Sequence, residues 1–115
     1  MNYKQRDIVN AFYEYSDLSS GKRRPVMILS HSKYNSSQSD VLVCLITSSS
    51  SKFFNCVLIK RNDLETGTLP TDSAVRYDKI TSLDKDLLGY YFGKLNMAKS
   101  QDVARNLKTF VDIIE

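Results

Sequence analysis

Two continuous apolar runs, Val26 to Leu29 and Val41 to Ile46, dominate the pattern of this chain. Each is too short for a typical helix and is bounded by Pro, Ser or Asp, so both read as central strands buried on both faces. Asp7 to Tyr15, rich in the β-formers Ile8, Val9, Phe12, Tyr13 and Tyr15, predicts a strand before them, followed by a polar loop from Ser16 to Gly21. Phe53 to Lys60 alternates, with Phe54, Cys56, Leu58 and Lys60 on one side and Phe53, Asn55, Val57 and Ile59 on the other. That alternation predicts a further strand.

Between these runs the composition turns polar. Ser32 to Ser39 reads as a loop and Asp63 to Pro70 as a turn-rich connection, before Ser73 to Ile80 returns to an extended pattern. Asp84 to Leu88 predicts the start of a short helix, and Gly93 to Leu95 a last short extended piece. The clearest helix closes the chain. Val103, Leu107, Phe110 and Ile114 fall at steps of four, three and four and form one apolar stripe, with Ser100 as the expected N-cap and Asp102 near the positive end of the dipole. Several short strands followed by a terminal helix predict a mainly β fold with helices, a small, strongly bent barrel of the SH3-like kind with a C-terminal helix.

Length sets the scale of that fold. At 115 residues the chain predicts a single domain over residues 1–115, and its 42% hydrophobic and 25% charged residues are ordinary for a globular protein. The net charge of +3 is too mild to imply a nucleic-acid partner by itself, so the placement of charge matters more. Its densest basic cluster is Lys22-Arg23-Arg24, which reads as a glycine-led loop entering the first apolar run at Pro25. Cys44 and Cys56 lack a metal-ligand spacing and read as structural thiols of a reducing compartment. No apolar run approaches the ~20 residues of a membrane span, and the N-terminus has no charged-then-apolar signal pattern, so a cytoplasmic location is expected.

The chemistry gathers at strand ends. Arg24 stands where the basic run meets Pro25, and about twenty residues on the second apolar run ends in Thr47-Ser48. A guanidinium presents a planar fork of donors to phosphate oxygens, and hydroxyl and backbone donors can complete such a site. RNA can be cleaved there with no metal or cofactor, because its own 2′-hydroxyl attacks the neighbouring phosphorus. The protein must then remove a proton, stabilise the anionic phosphorane and protonate the leaving 5′-oxygen. Arg76 and Asp78 form a second candidate pair, projecting to one face of a strand about 6.5–7 Å apart. That spacing permits an ion pair or a joint contact with one phosphate, and a carboxylate held by a guanidinium is a weaker base. His31, the single histidine, sits just past the first apolar run and is not among the expected catalytic residues, and the absence of a second histidine argues against a two-histidine mechanism. No Gly-rich phosphate loop, metal cluster or serine-hydrolase elbow is present in the sequence.

These segments, taken in order, resemble the MazF/PemK family of toxin endoribonucleases from type II toxin-antitoxin systems. The resemblance is carried by Arg6-Asp7-Ile8-Val9, Gly21-Lys22-Arg23-Arg24-Pro25-Val26, Leu45-Ile46-Thr47-Ser48 and Gly67-Thr68-Leu69-Pro70-Thr71-Asp72-Ser73-Ala74-Val75-Arg76. Asp78-Lys79-Ile80, Leu83-Asp84-Lys85 and Gly93-Lys94-Leu95 extend it over nearly the whole chain. It implies the same barrel as a homodimer, metal-independent and sequence-selective cleavage of single-stranded RNA to a 2′,3′-cyclic phosphate, and neutralisation by an acidic antitoxin segment laid across the RNA groove. Arg24 then matches the family's catalytic arginine before proline and Thr47 its catalytic threonine. Arg76 and Asp78 resemble the arginine-x-aspartate pair given acid and base roles in the Kid/PemK branch. Lys22, Arg23, Ser48 and Ser49 are the expected RNA-binding neighbours.

Two departures stand out. Arg6 occupies a position where family members often carry glycine, and the loop from Ser16 to Lys22 has no histidine, which the PemK branch can place there. The rival reading is a non-catalytic poison on the same barrel, such as the CcdB-type gyrase inhibitors, which act through a C-terminal tail with a tryptophan. This chain has no Trp. An inactive binding module is the third alternative.

Overall fold

The structure is a computed structural model, and it describes residues 2–13, 22–48 and 55–115. These residues form strands β1 (Asp7–Tyr13), β2 (Lys22–Ile28), β3 (Asp40–Thr47), β4 (Cys56–Ile59), β5 (Leu64–Gly67), β6 (Ser73–Asp84) and β7 (Leu88–Leu95). Two helices, α1 (Ser32–Ser37) and α2 (Met97–Phe110), and a 3-10 turn at Lys85–Leu87 complete the described elements. The strands make one sheet in the order β4-β6-β3-β2-β1-β7-β5, every pair antiparallel. The sheet curls on itself, and α2 lies against β4 and β6.

The two central runs are buried on both faces, as their composition predicts. Met27, Cys44 and Ile46 turn to one core cluster with Ile8, Val75, Tyr77, Leu95 and Val103. Val26, Ile28, Val43 and Leu45 turn to a second cluster with Val9, Ala11, Tyr13 and Leu83. Alternation along a strand divides the side chains between the two, so a one-residue slip in register would exchange both cores at once. That cost fixes the register on which the site below depends.

Several elements differ from the sequence expectation. Lys22, Arg23 and Arg24 belong to β2 rather than to a loop, because Tyr13, Phe12 and Ala11 of β1 pair with them in turn. Backbone pairing outweighs the polar composition there. Ser32 to Ser37 is a short helix, held by Asn35, which is buried and donates through Nδ2 to the carbonyls of Tyr3 and Ser30 at 3.1 and 3.0 Å. The turn-rich segment contains β5, which closes on β7 where Gly67 faces Gly93. Gly67 adopts φ 76°, and a Cβ there would stand 2.0 Å from the Phe92 carbonyl oxygen. Only glycine permits that approach.

The last helix starts one turn earlier than predicted. Asn96, not Ser100, is its N-cap, accepting from the Lys99 N–H at 2.8 Å. Ser100 is instead buried in the helix, and its hydroxyl donates to the Leu95 carbonyl at 3.4 Å. Asp102 lies beyond the first turn and pairs with Arg105 at 2.6 Å. The apolar stripe holds at Val103 and Leu107 and reaches Phe110, whose ring meets Tyr77 at the edge of the core, whereas Ile114 follows the helix and is 82% exposed. Residues 14–21 and 49–54, with the expected loop after β1, the serine run and the start of the strand at Phe53, lie outside the described residues.

Candidate active site

The site is assembled by register. Leu45 of β3 pairs with Val26 of β2 at the end of that ladder, and Arg24 and Thr47 each stand two residues beyond the pair along their own strands. On its other edge β3 pairs Leu45 with Arg76 and Thr47 with Ala74 of β6. Neighbouring strands lie about 4.8 Å apart, and these residues occupy three adjacent strands. Alternation gives them a common face. Arg24 follows Val26 and Ile28, Thr47 follows Val43 and Leu45, and Arg76 stands between Val75 and Tyr77 of the opposite cluster. All three are half-buried, and the Nε of Arg24 is fully covered.

A break in the ladder sets Asp78 beside Arg76. Cys44 pairs with Ile80 and its neighbour Leu45 with Arg76, so Tyr77, Asp78 and Lys79 of β6 have no counterpart in β3. Extra residues on one strand bend it and re-aim its side chains. Tyr77 turns inward to the core, while Asp78 turns to the outer side and meets Arg76 with both oxygens. Arg76 Nε donates to Oδ1 at 3.0 Å and Nη2 donates to Oδ2 at 2.7 Å. Of the two arrangements that the spacing permits, the ion pair is present.

Cys56 belongs to the same face and was not expected there. It pairs with Arg76 across β4 and β6. Burial raises its thiol's pKa, while Arg76 lowers it and Asp78 raises it, which places the sulfur in the field of both groups. Tyr13 joins from β1, on the side of Ala11 and opposite Lys22. The signal for both was alternation: Cys56 and Tyr13 each keep step with a residue of that face, but only the pairing of distant strands reveals it.

The expected RNA-binding residues divide. Lys22 is exposed and, two residues before Arg24, shares its side of β2. Arg23 points to the other side, where its Nη1 lies 3.1 Å from the position a Cβ would take on Gly89. Arg23 is therefore not brought together with Arg24 and Thr47. Ser48 is exposed just past the end of β3, and Ser49 lies outside the described residues. His31 is exposed at the start of α1, on the connection from β2. Among the described residues no three His, Cys, Asp or Glu side chains converge as metal ligands, and no helix is long and apolar enough to cross a membrane.

Residues 4–111 match the family described as the PemK-like, MazF-like toxin of type II toxin-antitoxin systems. Compared by sequence with curated proteins, the chain matches none. Solved structures share its fold. MazF from Deinococcus radiodurans superposes with a TM-score of 0.81 at 18% identity, covering 98% of this chain and 99% of its own. A mycobacterial endoribonuclease in complex with its cognate antitoxin gives 0.77 at 21% identity, covering 97% and 99%. The Mycobacterium tuberculosis toxin MazF-mt6 gives 0.76 at 23% identity, covering 96% and 100%.

Proposed function

The chain belongs to the PemK-like, MazF-like toxin family of type II toxin-antitoxin systems, and from that membership we propose that it is an endoribonuclease of single-stranded RNA. The observation that carries the reading is the register that sets Arg24, Thr47 and Arg76 on one face of three adjacent strands. Two guanidinium groups and a hydroxyl on one half-buried face suit an anionic, crowded phosphorus better than they suit a neutral ligand. The strand pairing holds their backbones before substrate arrives.

The reaction needs no resident cofactor. The RNA 2′-hydroxyl gives up its proton to solvent as it attacks the adjacent phosphorus, the P–O5′ bond breaks, the leaving 5′-oxygen takes a proton from solvent, and the products carry a 2′,3′-cyclic phosphate and a 5′-hydroxyl. Arg24 and Arg76 stabilise the charge on the non-bridging oxygens, and Thr47 donates a hydrogen bond to the same group. A guanidinium holds its proton tightly, which makes charge stabilisation, not proton donation, the role of both arginines. Lys22 and Ser48, exposed at the rim, meet the flanking backbone, and base contacts from the rim select the sequence cleaved.

Neutralisation follows from the same electrostatics. An acidic, partly apolar segment of a cognate antitoxin, laid across this face, would present carboxylates where RNA presents phosphates. The functional unit is a homodimer in the cytoplasm. The experiment is incubation of the purified full chain with defined single-stranded RNAs in EDTA, with analysis of the product ends. Fragments ending in a cyclic phosphate support the reading, and intact RNA from folded protein across varied sequences overturns it in favour of a non-catalytic poison or binding module.

A further inference from the structure

Arg23, parted from Arg24 by strand alternation, lies among aromatic rings. On the side of β1 and β2 to which Ile8 and Met27 turn, Phe12 stands directly across from Arg23 in register, a pairing that sets Cβ atoms about 4.5–5.5 Å apart. The Arg23 guanidinium reaches over β1 to β7, where its Nη1 and Cζ lie 3.1 and 4.0 Å from the place a Cβ on Gly89 would occupy. Glycine there lets the planar group settle against the backbone. The next residue, Tyr90, is 69% exposed, and its ring meets that of Phe92 edge-on, with centroids 5.0 Å apart and planes at 77°. Phe92 packs against the cluster of Ile8 and Met27, so the Tyr90 ring borders the same side.

These groups are open to solvent. Phe12 is 37% exposed, Arg23 is exposed, and none of the ion pairs among the described residues involves Arg23. Guanidinium planes and aromatic faces are the surfaces on which proteins stack unpaired bases. An open edge joins this side to the candidate active face. β3 pairs with β2 from Val26 to Ile28, so Lys22 to Pro25 have β1 on one flank and no described strand on the other. Arg23 and Arg24 are successive residues on that edge, one turned to each side.

We propose that Arg23, Phe12 and Tyr90 form a stacking platform for unpaired bases of the RNA, taking nucleotides that flank those held at the Arg24 face. The inference rests on the endoribonuclease reading for its ligand. RNA is favoured over a protein partner by the positive charge at the centre of the patch and by its continuity with the candidate site across the edge of β2. The platform adds affinity for longer RNA and takes no part in breaking the bond.

The test is binding of 2′-O-methyl RNA, which has no free 2′-hydroxyl to attack and stays intact. Fluorescence anisotropy of a labelled strand of about 12 nucleotides, a length within the usual span of single-strand sites, is compared with that of an abasic strand of the same length. Wild type, Tyr90→Ala and Arg23→Lys are measured, with thermal melts to verify folding. Removing a stacking residue weakens binding roughly 5- to 150-fold per base, and lysine keeps the charge of Arg23 while losing its plane. Each variant is therefore expected to weaken the complete strand about tenfold and the abasic strand by less than about twofold. Wild-type affinity in folded Tyr90→Ala or Arg23→Lys, or an equal loss on the abasic strand, overturns the platform. Sedimentation reads the other occupant: Tyr90→Ala protein that loses a dimer but keeps its RNA affinity shows a contact between copies, which overturns it as well. If Tyr90→Ala does not fold, Tyr90→Leu, apolar but without an aromatic face, is read by the same criteria. Wild type that binds the strand yet leaves unmodified RNA intact overturns the endoribonuclease reading and not the platform. Wild type that cleaves, with any of the contrary binding results, overturns the platform alone, and wild type that neither binds nor cleaves overturns both.

Discussion

The ring of Phe110 meets that of Tyr77 edge-on, with centroids 5.8 Å apart and planes at 75°. Tyr77 is the middle residue between Arg76 and Asp78, so α2 braces, from behind the sheet, the part of β6 that carries the pair. A residue 51% exposed near the end of a terminal helix is thereby linked to the proposed chemistry.

Removing that brace should separate stability from activity. An aromatic pair contributes about 0.5–1.5 kcal/mol beyond area burial, so Phe110→Ala is expected to cost about 1–2 kcal/mol in urea unfolding. Cleavage should fall about tenfold at a temperature where the protein remains folded, and Phe110→Tyr should retain it. Wild-type cleavage by folded Phe110→Ala would show that the brace does not reach the site.

The thiols should differ sharply. Cys44 is completely buried, and burial pushes its pKa up from 9.0 to about 12, while Cys56 is half-buried beside Arg76. In the folded protein at pH 8 a thiol reagent should modify Cys56 first and Cys44 only at the rate of unfolding. The sign for stability follows. The unfolded chain ionises Cys44 above about pH 9 while the fold keeps it protonated, so its contribution is complete below that pH and is lost as pH rises toward 12. The slope is at most about 1.4 kcal/mol per pH unit. Equal reaction of the two thiols in the folded state would contradict the burial of Cys44.

Arg6 carries a backbone strain that a glycine would not. It sits at φ 78°, a left-handed conformation that costs a non-glycine residue roughly 1–2 kcal/mol. Its side chain offsets this by donating from Nη1 to Glu65 Oε1 and to the Leu95 carbonyl, each at 2.9 Å. Arg6→Gly should therefore change stability by no more than about 1 kcal/mol, while Arg6→Ala, which keeps the strain and loses both contacts, should cost about 1–3 kcal/mol. Urea unfolding of the two variants decides it; an alanine variant as stable as the glycine variant would contradict the strain.

What could be read from the sequence was local. Val26–Leu29 and Val41–Ile46 announced themselves as central strands because continuous apolar runs are needed where both faces are buried, and both runs feed both core clusters. The i,i+2 spacing of Arg76 and Asp78 likewise permitted their contact, alongside a joint phosphate contact. What escaped was set by distant pairing. Lys22 to Arg24 read as a loop until β1 paired with them, and Arg23 proved to face away from Arg24 because adjacent strand residues alternate. The unmatched residues Tyr77 to Lys79, which place Asp78, arise from a change of register with β3 that no local pattern encodes. Cys56 reached the site by pairing with Arg76, twenty residues on in sequence.

The central claim is that the face shared by Arg24, Thr47 and Arg76 cleaves RNA. Its most direct test is the single-turnover rate on one defined single-stranded RNA in EDTA, for wild type, Arg24→Ala and Thr47→Ala, with circular dichroism to verify that each is folded. The account predicts cyclic-phosphate products from wild type, a loss of about 10²–10³-fold for Arg24→Ala, and a smaller loss for Thr47→Ala. Cleavage by folded Arg24→Ala at the wild-type rate would contradict it.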